Sequence, residues 1–301
     1  MKKPRVAILG VGNIGEFHAR EFHEAGCDIV AFLTSSQESA YQKAKRLKEL
    51  YGINAKPYWN LDDLLFQEEL DAVSICTPAS THYDYMKRCL KEGLHVLCEK
   101  PFVQSFSGES LGKSKELLEL GKKNGAIITL NTQLVSFLEA INENTGNVQS
   151  FSMYMEPEPG DEFHLMDEVI PHMNSFLIRL LGSDDISNIQ FFRGANKFEI
   201  KFKYGKSEIN YQIGSSSVRP RKLLFSINEK DYSREILHDG RKYEMYLAGD
   251  GERRKLEDPL KVSVRKFVSA LKLEDNVLVS EEEILQNARI YNEIIQKYKA
   301  Q

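Results

Sequence analysis

Short apolar runs alternate with amphipathic stretches over the first part of the chain. Each run is short and apolar enough for a strand that is covered on both faces, and the runs lie at 6–9, 29–33, 72–76, 95–98 and 126–130. The stretches between them have helical spacing. Strands that alternate with helices in this way are typical of βαβ units, so the pattern predicts an α/β domain with a doubly wound parallel sheet.

The pattern changes to a period of two beyond about residue 148. Apolar side chains occupy alternate positions in two runs on either side of Gly205 and Lys206, and these are Phe198, Ile200, Phe202 and Tyr204, then Ile209, Tyr211 and Ile213. This spacing predicts a β-hairpin, and further strands are predicted near 148 and at 186–192, 223–227 and 242–246. The second half is therefore predicted to be α+β with one large, mostly antiparallel sheet.

Two amphipathic helices are predicted at the end of the chain. Asp258 and Pro259 supply an N-cap and a first-turn proline for one helix, and Ser280 and Glu283 form a capping box for the other. A chain of 301 residues is too long for one ordinary core. We therefore predict two domains, at 1–125 and 126–301, and the last helix can pack back on the first domain.

Composition and charge narrow the functional classes. The 40 Lys and Arg residues against 44 Asp and Glu residues give a net charge of −4, which leaves no basic excess for binding nucleic acid or an anionic membrane surface. No run reaches the roughly 18 apolar residues of a membrane span, and no signal-peptide core is present at the start. We therefore predict a soluble, cytoplasmic protein. The four cysteines form no C-x-x-C pair and are predicted to be buried thiols.

A glycine-rich loop follows the first predicted strand and opens the first predicted helix. Gly10, Gly12 and Gly15 have the G-x-G-x-x-G spacing, with Asn13 and Ile14 between the last two. In this motif the glycines permit a tight turn, a close approach to a pyrophosphate and helix–strand packing, and the helix N-terminus points at the phosphates. The context predicts that 1–125 is a dinucleotide-binding Rossmann domain and 126–301 a substrate and oligomerisation domain; the alternative is a glycine-rich turn that binds nothing.

The end of the second predicted strand bears on the choice of cofactor. A domain that binds NAD usually carries Asp or Glu there to meet the ribose diol, but this chain has Thr34, Ser35 and Ser36. These small hydroxyl residues leave room for a 2′-phosphate, which favours NADP over NAD. The nearest basic residues are Lys43 and Arg46 on the following helix.

Two further segments form the most specific passage of the chain. One is Thr77-Pro78-Ala-Ser-Thr-His82, and the other is Glu99-Lys100-Pro101 at the end of a predicted strand. Together with the glycine loop they resemble the Gfo/Idh/MocA oxidoreductases, which carry a T-P-x-x-x-H segment and an E-K-P turn at this spacing. Lys100 also follows a parallel strand, at the sheet edge where ligands of open α/β folds bind.

The resemblance implies roles for these residues. Lys100 would exchange a proton with a substrate hydroxyl, and Glu99 would orient Lys100. Thr77 and Pro78 would line the nicotinamide side of the cofactor pocket. His82 either belongs to that pocket or only caps and packs its helix.

The second domain departs from the family pattern. Members usually carry D-x-G-x-H-x-x-D at the start of a helix, and here Glu168 replaces the first aspartate and Ser175 the second, whereas His172 matches. The resemblance implies that His172, with Glu168, acts as a general base or orients the substrate by a hydrogen bond; a packing histidine is the alternative. His164, Glu168 and His172 also have helical spacing, but Pro171 is expected to break that helix, so we predict no metal site.

These features predict an NAD(P)-dependent oxidoreductase that transfers a hydride between a nicotinamide cofactor and a hydroxyl-bearing carbon of a sugar, cyclitol or related polyol. Two alternatives are a nucleotide-sensing regulator or structural subunit with reduced catalysis, and an NAD-dependent glycosidase. The family commonly has an arginine in the segment at 131–137, which has none here, so no particular sugar is implied. Because the large sheet has a second face to cover, we expect a homodimer or homotetramer.

Overall fold

The computed structural model describes residues 2–104, 108–141, 147–194, 197–238, 243–249 and 251–301. These residues divide into two compact units. The described parts of unit 1 lie within 2–104, 110–131 and 260–285, and those of unit 2 lie within 108–109, 132–259 and 286–301. The predicted boundary at residue 125 lies just before the last strand of unit 1.

The described residues contain fourteen strands and eight α-helices. The strands are β1 (Arg5–Leu9), β2 (Asp28–Leu33), β3 (Lys56–Tyr58), β4 (Ala72–Ile75), β5 (His95–Glu99), β6 (Ile128–Asn131), β7 (Ser150–Met155), β8 (Ile186–Arg193), β9 (Phe198–Tyr204), β10 (Ser207–Ile213), β11 (Leu223–Ile227), β12 (Lys230–His238), β13 (Tyr243–Gly249) and β14 (Glu252–Leu256). The helices are α1 (Asn13–Glu24), α2 (Gln37–Tyr51), α3 (Leu61–Gln67), α4 (His82–Lys91), α5 (Ser110–Asn124), α6 (Glu162–Leu181), α7 (Pro259–Leu271) and α8 (Glu281–Lys299).

Unit 1 is built on a six-stranded sheet in the order β3-β2-β1-β4-β5-β6. Every neighbouring pair is parallel, so all six strands end at the same edge of the sheet. The strand order reverses at β1, between β2 and β4, which is where doubly wound sheets bind their ligands. The predicted parallel sheet is confirmed, with β3 as an additional edge strand.

Unit 2 is built on an eight-stranded sheet in the order β14-β13-β12-β11-β7-β10-β9-β8. All neighbouring pairs are antiparallel except β7 with β10. The predicted hairpin joins β9 to β10, with Tyr204 opposite Ser207 and a turn at Gly205, whose φ of +56° suits glycine. The mostly antiparallel sheet is therefore confirmed.

The two faces of the unit 2 sheet differ in polarity. The alternating aromatic and aliphatic residues of β9 and β10 are buried in one core with residues of α6 and the second half of α8. The intervening positions of the two strands are polar or charged, among them Glu199, Lys201 and Gln212. The apolar side of the sheet is thus already covered by helices of the same unit.

Local sequence features behave as expected elsewhere. The Ser280 amide donates to Glu283 Oε2 (2.8 Å) and the Glu283 amide to Ser280 Oγ (3.2 Å), which is the predicted capping box. All four cysteines are buried thiols without a disulfide. Among the described residues, none of the helices has both the length and the apolar character needed to cross a membrane.

Candidate functional site

The glycine loop at the end of β1 forms a cradle of open backbone. Gly10 has φ of +91°, and a Cβ built there would lie 2.8 Å from backbone atoms of Cys76 and Thr77. A Cβ on Gly15 would lie 1.9 Å from the Gly10 carbonyl oxygen, whereas a Cβ on Gly12 would meet nothing within 4 Å. Gly10 and Gly15 are therefore required by packing, and Gly12 leaves space that a ligand can occupy.

Helix α1 begins in this cradle without a side-chain cap. Its N-cap is Gly12, and the first helical hydrogen bond runs from the Glu16 amide to the Gly12 oxygen (3.0 Å). The amides of residues 13–15 precede that bond, and such N–H groups at a helix start bind anions such as phosphate. The residues therefore fit the pyrophosphate of a dinucleotide.

The end of β2 carries the three hydroxyl residues. Thr34 Oγ1 donates to the Ser36 oxygen (2.9 Å), Ser36 Oγ caps α2 by accepting from the Ser39 amide (3.3 Å), and Ser35 is exposed. These bonds shape the turn from β2 into α2. No carboxylate occupies the segment at 34–36.

Two of the basic residues of α2, Lys43 and Arg46, contact a buried carboxylate of α1. Glu16 Oε1 accepts from Lys43 Nζ (2.6 Å) and Glu16 Oε2 from Arg46 Nε (2.7 Å), and Glu16 is 5% exposed. Burial would raise the pKa of Glu16, but these two cations outweigh it and lower the pKa. Lys43 and Arg46 are thus held beside the first turn of α1.

His82 links the end of β4 to the Glu99-Lys100-Pro101 turn. Its Nδ1 lies 2.8 Å from the Pro101 oxygen and its Nε2 lies 2.9 Å from the Thr77 oxygen. The side chain is 1% exposed, and burial lowers its pKa. His82 therefore contacts a backbone carbonyl in each of the two segments. Pro78, directly after Thr77, is the N-cap of a short 3₁₀ turn at Ala79–Thr81 that leads into α4.

The turn after β5 places Lys100 directly beyond a buried carboxylate. Lys100 is half-buried, its peptide bond to Pro101 is cis, and its amide donates to Glu99 Oε2 (3.3 Å). Glu99 Oε1 accepts from Asn131 Nδ2 and lies 2.9 Å from His18 Nε2. The other ring nitrogen of His18 lies 2.8 Å from Ser74 Oγ. The turn is therefore anchored by side chains of α1, β4 and β6.

This cluster carries a buried pair of opposite charges. Burial would raise the pKa of Glu99, but His18, Asn131 and Lys100 lower it to about 2. Burial would lower the pKa of His18, but Cys76 and Glu99 raise it to about 10. Both directions describe an imidazolium paired with a carboxylate. His18, Ser74 and Asn131 were not predicted. For Ser74 and Asn131 the available indication was a polar residue within, or at the end of, an apolar run.

In unit 2, α6 runs from Glu162 to Leu181 with Pro171 inside it. The N-cap is Asp161, whose side chain accepts from the His164 amide (2.8 Å). The prediction that Pro171 breaks the helix and that His172 begins one is therefore wrong. Proline removes one helical hydrogen bond, and the apolar residues buried on both sides of it hold the helix together. The Pro171 oxygen also accepts from Asn287 Nδ2 (2.7 Å).

Glu168 and His172 lie one helical turn apart on a half-buried stripe of α6. His164 lies one turn earlier and is exposed. Within the part of the chain that the structure describes, no group of three or more His, Cys, Asp or Glu residues could hold a metal ion. What the stripe offers is a carboxylate and an imidazole on one helix face.

Ser175, which replaces the second aspartate of the family pattern, belongs to a buried neutral cluster. Its Oγ accepts from Thr132 Oγ1 (2.6 Å) and from Asn287 Nδ2 (2.8 Å). Asn174 Nδ2 donates to the Asn287 oxygen (3.3 Å), and Tyr211 donates to Asn174 Oδ1 (3.1 Å). Ser175 is 1% exposed. Its position is thus part of the interior of unit 2.

Part of the chain is similar in sequence to a known family and to curated oxidoreductases. Residues 4–132 match the model of a family described as an oxidoreductase family with an NAD-binding Rossmann fold. UDP-N-acetylglucosamine 3-dehydrogenase of Acidithiobacillus ferrooxidans is 35% identical over 99 residues, which cover 33% of this chain and 29% of that protein. The alignments with this and other curated relatives span about a fifth to two fifths of the relatives' length.

Solved structures match nearly the whole chain in fold. The structure of the same A. ferrooxidans dehydrogenase has a TM-score of 0.75 at 17% identity, with 98% of each chain covered. Myo-inositol 2-dehydrogenase of Lactobacillus plantarum has a TM-score of 0.76 at 16% identity, covering 99% of this chain and 98% of that one. A 3-ketoreductase variant of Actinomadura kijaniata, solved with NADP, has a TM-score of 0.74 at 15% identity, with 98% of each chain covered.

Proposed function

We propose that this chain, whose residues 4–132 match the model of an oxidoreductase family with an NAD-binding Rossmann fold, is an NAD(P)-dependent oxidoreductase of the Gfo/Idh/MocA family. Its substrate is a hydroxyl-bearing carbon of a sugar, cyclitol or related polyol. The observation that carries the proposal is the cradle at Gly12, open at the start of α1 and on the same sheet edge as the Glu99-Lys100-Pro101 turn. The sugar and inositol dehydrogenases among the relatives support the substrate class.

In unit 1, some residues bind the cofactor and Lys100 transfers the proton. The amides of Asn13, Ile14 and Gly15 hold the pyrophosphate, and Thr77 and Pro78 line the nicotinamide side. When bound, the nicotinamide supplies the two-electron hydride chemistry. The proton of the substrate hydroxyl has to leave as the carbon is oxidised, and Lys100 Nζ accepts it; in the reverse direction Lys100 returns it.

The residues of unit 2 that take part are Glu168 and His172. The imidazole of His172 accepts or donates a hydrogen bond at a substrate hydroxyl, and Glu168 lies one turn before it on the same helix face. A carboxylate beside an imidazole favours one ring tautomer and one orientation. His172 therefore orients the substrate or serves as a second base.

NADP is the preferred cofactor in this proposal. The absence of a carboxylate at 34–36 leaves room for a 2′-phosphate, and Lys43 and Arg46 are the basic residues of α2 that are held beside the first turn of α1. The Arg46→Ala variant separates the two cofactors. If Arg46 meets the 2′-phosphate, the variant binds NADPH about tenfold more weakly and NADH unchanged; equal loss for both nucleotides would contradict an Arg46 role in choosing the cofactor.

The test of the proposal is nucleotide binding followed by turnover. Protein freed of carried nucleotide is titrated with NADPH and NADH by calorimetry at fixed salt, and polyols, cyclitols and nucleotide sugars are then screened for nicotinamide reduction. We expect micromolar binding with NADPH tighter, and reduction with at least one polyol. No binding of either nucleotide would overturn the proposal.

A matched pair of glycine variants checks that the cradle is the binding site. A Cβ on Gly12 or on Gly112 of α5 meets nothing within 4 Å, so the Cβ of Gly12→Val or of Gly112→Val does not clash with the rest of the protein. Gly12→Val is expected to weaken nucleotide binding by at least about tenfold, because the side chain fills the ligand space. Gly112→Val is expected to bind as the unmodified protein does.

The same experiments distinguish the alternatives. Nucleotide binding with no turnover of any polyol would support the nucleotide-sensing regulator. Cleavage of a glycoside without net reduction of the nucleotide would support the glycosidase.

We also propose that the chain associates as a homodimer or homotetramer through the outer face of the unit 2 sheet. Sedimentation is expected to give at least a dimer, and a monomer at high concentration would contradict this.

A further inference from the structure

One buried histidine has no part in the chemistry proposed above. His18 of α1 is 0% exposed, and its two ring nitrogens lie 2.8 Å from Ser74 Oγ and 2.9 Å from Glu99 Oε1. The Glu99 oxygen can only accept. The Ser74 oxygen can accept as well, because its own hydrogen can point at Cys76 Sγ, 3.5 Å away. Both ring nitrogens can therefore donate, which is the bonding pattern of an imidazolium.

The carboxylate that His18 contacts also holds the backbone of Lys100. Glu99 Oε2 accepts from the Lys100 amide (3.3 Å), while Asn131 and His18 bond the other oxygen. Glu99 is thus a buried charge one residue from the proposed proton-exchanging group. A buried carboxylate has to be compensated by a cation, and the cations available here are His18 and Lys100.

The charged and titratable groups around this turn can be named. Glu99 and Lys100 belong to β5 and the turn, His18 to α1, Cys76 follows β4, and His82 of α4 contacts the Pro101 oxygen. Of these, His18 and Asn131 are the groups whose side chains bond the Glu99 carboxylate. Asn131 is neutral, so only His18 of the two compensates the charge.

We propose that His18 is a positioning residue for Lys100: its charge neutralises Glu99, so that the carboxylate orients the Lys100 backbone without drawing the Lys100 proton. The inference rests on the proposed function, because it concerns proton exchange at Lys100. Without the His18 charge, Glu99 stabilises the ammonium form of Lys100. Alcohol oxidation then requires a higher pH, because Lys100 has to be deprotonated to accept the hydroxyl proton.

Three variants test the charge balance. His18→Gln keeps a donor but removes the charge, Glu99→Gln removes the carboxylate, and the double variant removes both. For His18→Gln we expect the pH at half-maximal kcat/KM for oxidation to rise by about one unit and the nucleotide Kd to change less than about threefold. The double variant is expected to return the pH profile close to that of the unmodified protein.

His82→Gln is the matched control, because His82 is equally buried but contacts backbone carbonyls. Loss of the His82 side chain affects packing at the same turn but leaves the bonds to the Glu99 carboxylate in place. Adding Glu99→Gln is therefore not expected to bring the pH profile of His82→Gln closer to that of the unmodified protein. An unshifted profile in His18→Gln, or a double variant no closer to the unmodified protein than the single, would overturn the inference.

A spectroscopic readout on the unmodified protein does not depend on any variant folding. In protein labelled with ¹⁵N-histidine, the ring nitrogens of His18 are expected to be both protonated at about pH 8 and to become those of a neutral ring in Glu99→Gln. A neutral His18 ring at that pH in the unmodified protein would overturn the inference alone. If the unmodified protein binds neither NADPH nor NADH, the proposed function fails and the inference fails with it.

Discussion

Each unit of the molecule contains a cluster of buried, hydrogen-bonded polar side chains, and the two clusters differ in charge. The charged cluster of unit 1 consists of His18, Ser74, Glu99 and Asn131. The neutral cluster of unit 2 consists of Thr132, Asn174, Ser175, Tyr211 and Asn287. In both clusters most of the hydrogen-bonding groups have partners. Only the charged cluster of unit 1 contains an ion pair, so only there do stability and the local electric field change with pH.

The difference indicates where each unit can carry proton chemistry. The charged cluster includes Glu99, the residue before Lys100, and the Glu99 carboxylate accepts from the Lys100 amide. The neutral cluster lies where the family pattern has its second aspartate, and its members only position α6 against α8. In unit 2, the proposed function therefore assigns the substrate hydroxyl to Glu168 and His172 on the half-buried stripe.

The largest loss of activity is expected when one proposed proton-exchanging group is removed from each unit. Lys100→Ala is expected to lower kcat about 10³-fold and His172→Ala about 10²-fold, because general acid–base groups contribute on this scale. Nucleotide Kd is expected to stay within about threefold for both. Steady-state kinetics with calorimetry measures the two effects, and Lys91→Ala, at the exposed end of α4, is the control. Equal losses for Lys100→Ala and Lys91→Ala would remove Lys100 from the mechanism.

A charge placed in the neutral cluster should be poorly tolerated. Ser175→Asp restores the residue of the family pattern but buries a carboxylate among Thr132 and Asn287, which offer no cation. We expect a loss of about 3 kcal/mol in the free energy of unfolding, measured by urea denaturation, against about 1 kcal/mol for Ser175→Ala. Ser175→Asp as stable as the unmodified protein would mean that the cluster can host a charge.

The fold could be predicted from the sequence wherever burial imposes a pattern. The strands of the parallel sheet are apolar runs, and β9 and β10 alternate because one face is buried. The strands that were missed lack such a pattern. β3 is three residues with a proline, and β12 and β14 are mostly polar or charged, since their pairing depends on neighbouring strands and not on apolar burial.

The site could be predicted only as far as its motifs are local. The glycine loop and the Glu99-Lys100-Pro101 turn are contiguous, so their residues could be named. His18, Ser74 and Asn131 come from three different elements and meet only in the folded sheet. Pro171 was misread because a proline normally ends a helix, whereas here the packing of α6 outweighs one lost hydrogen bond.

The ionised pair also makes the stability of the charged cluster depend on pH. The pKa of Glu99 is lowered from 4.5 to about 2, so its contribution is present above pH 4.5 and is lost as the pH falls towards 2. The pKa of His18 is raised from 6.5 to about 10, so its contribution is present below pH 6.5 and is lost as the pH rises towards 10. The charged cluster therefore stabilises unit 1 most between pH 4.5 and 6.5.

Thermal unfolding over a range of pH checks this window. The His18→Gln and Glu99→Gln double variant is expected to lose several degrees of Tm relative to the unmodified protein at about pH 6, and less at about pH 9. The Ser175→Ala variant should show a loss of Tm that does not change over the same range. A constant difference in Tm between the double variant and the unmodified protein would contradict the ionised pair.

The smallest expected effect compares one hydroxyl from each cluster. Ser74→Ala removes the partner of His18 Nδ1, and Thr132→Val removes a donor to Ser175 Oγ; each should cost about 1 kcal/mol of unfolding free energy. The cost of Ser74→Ala should shrink as the pH rises, because the lost bond favours the charged imidazole and matters less as that charge is given up. The cost of Thr132→Val should not change with pH, because none of its partners titrates. Urea denaturation at about pH 6 and about pH 9 separates the two variants, and equal pH dependence would show that the clusters do not differ in charge.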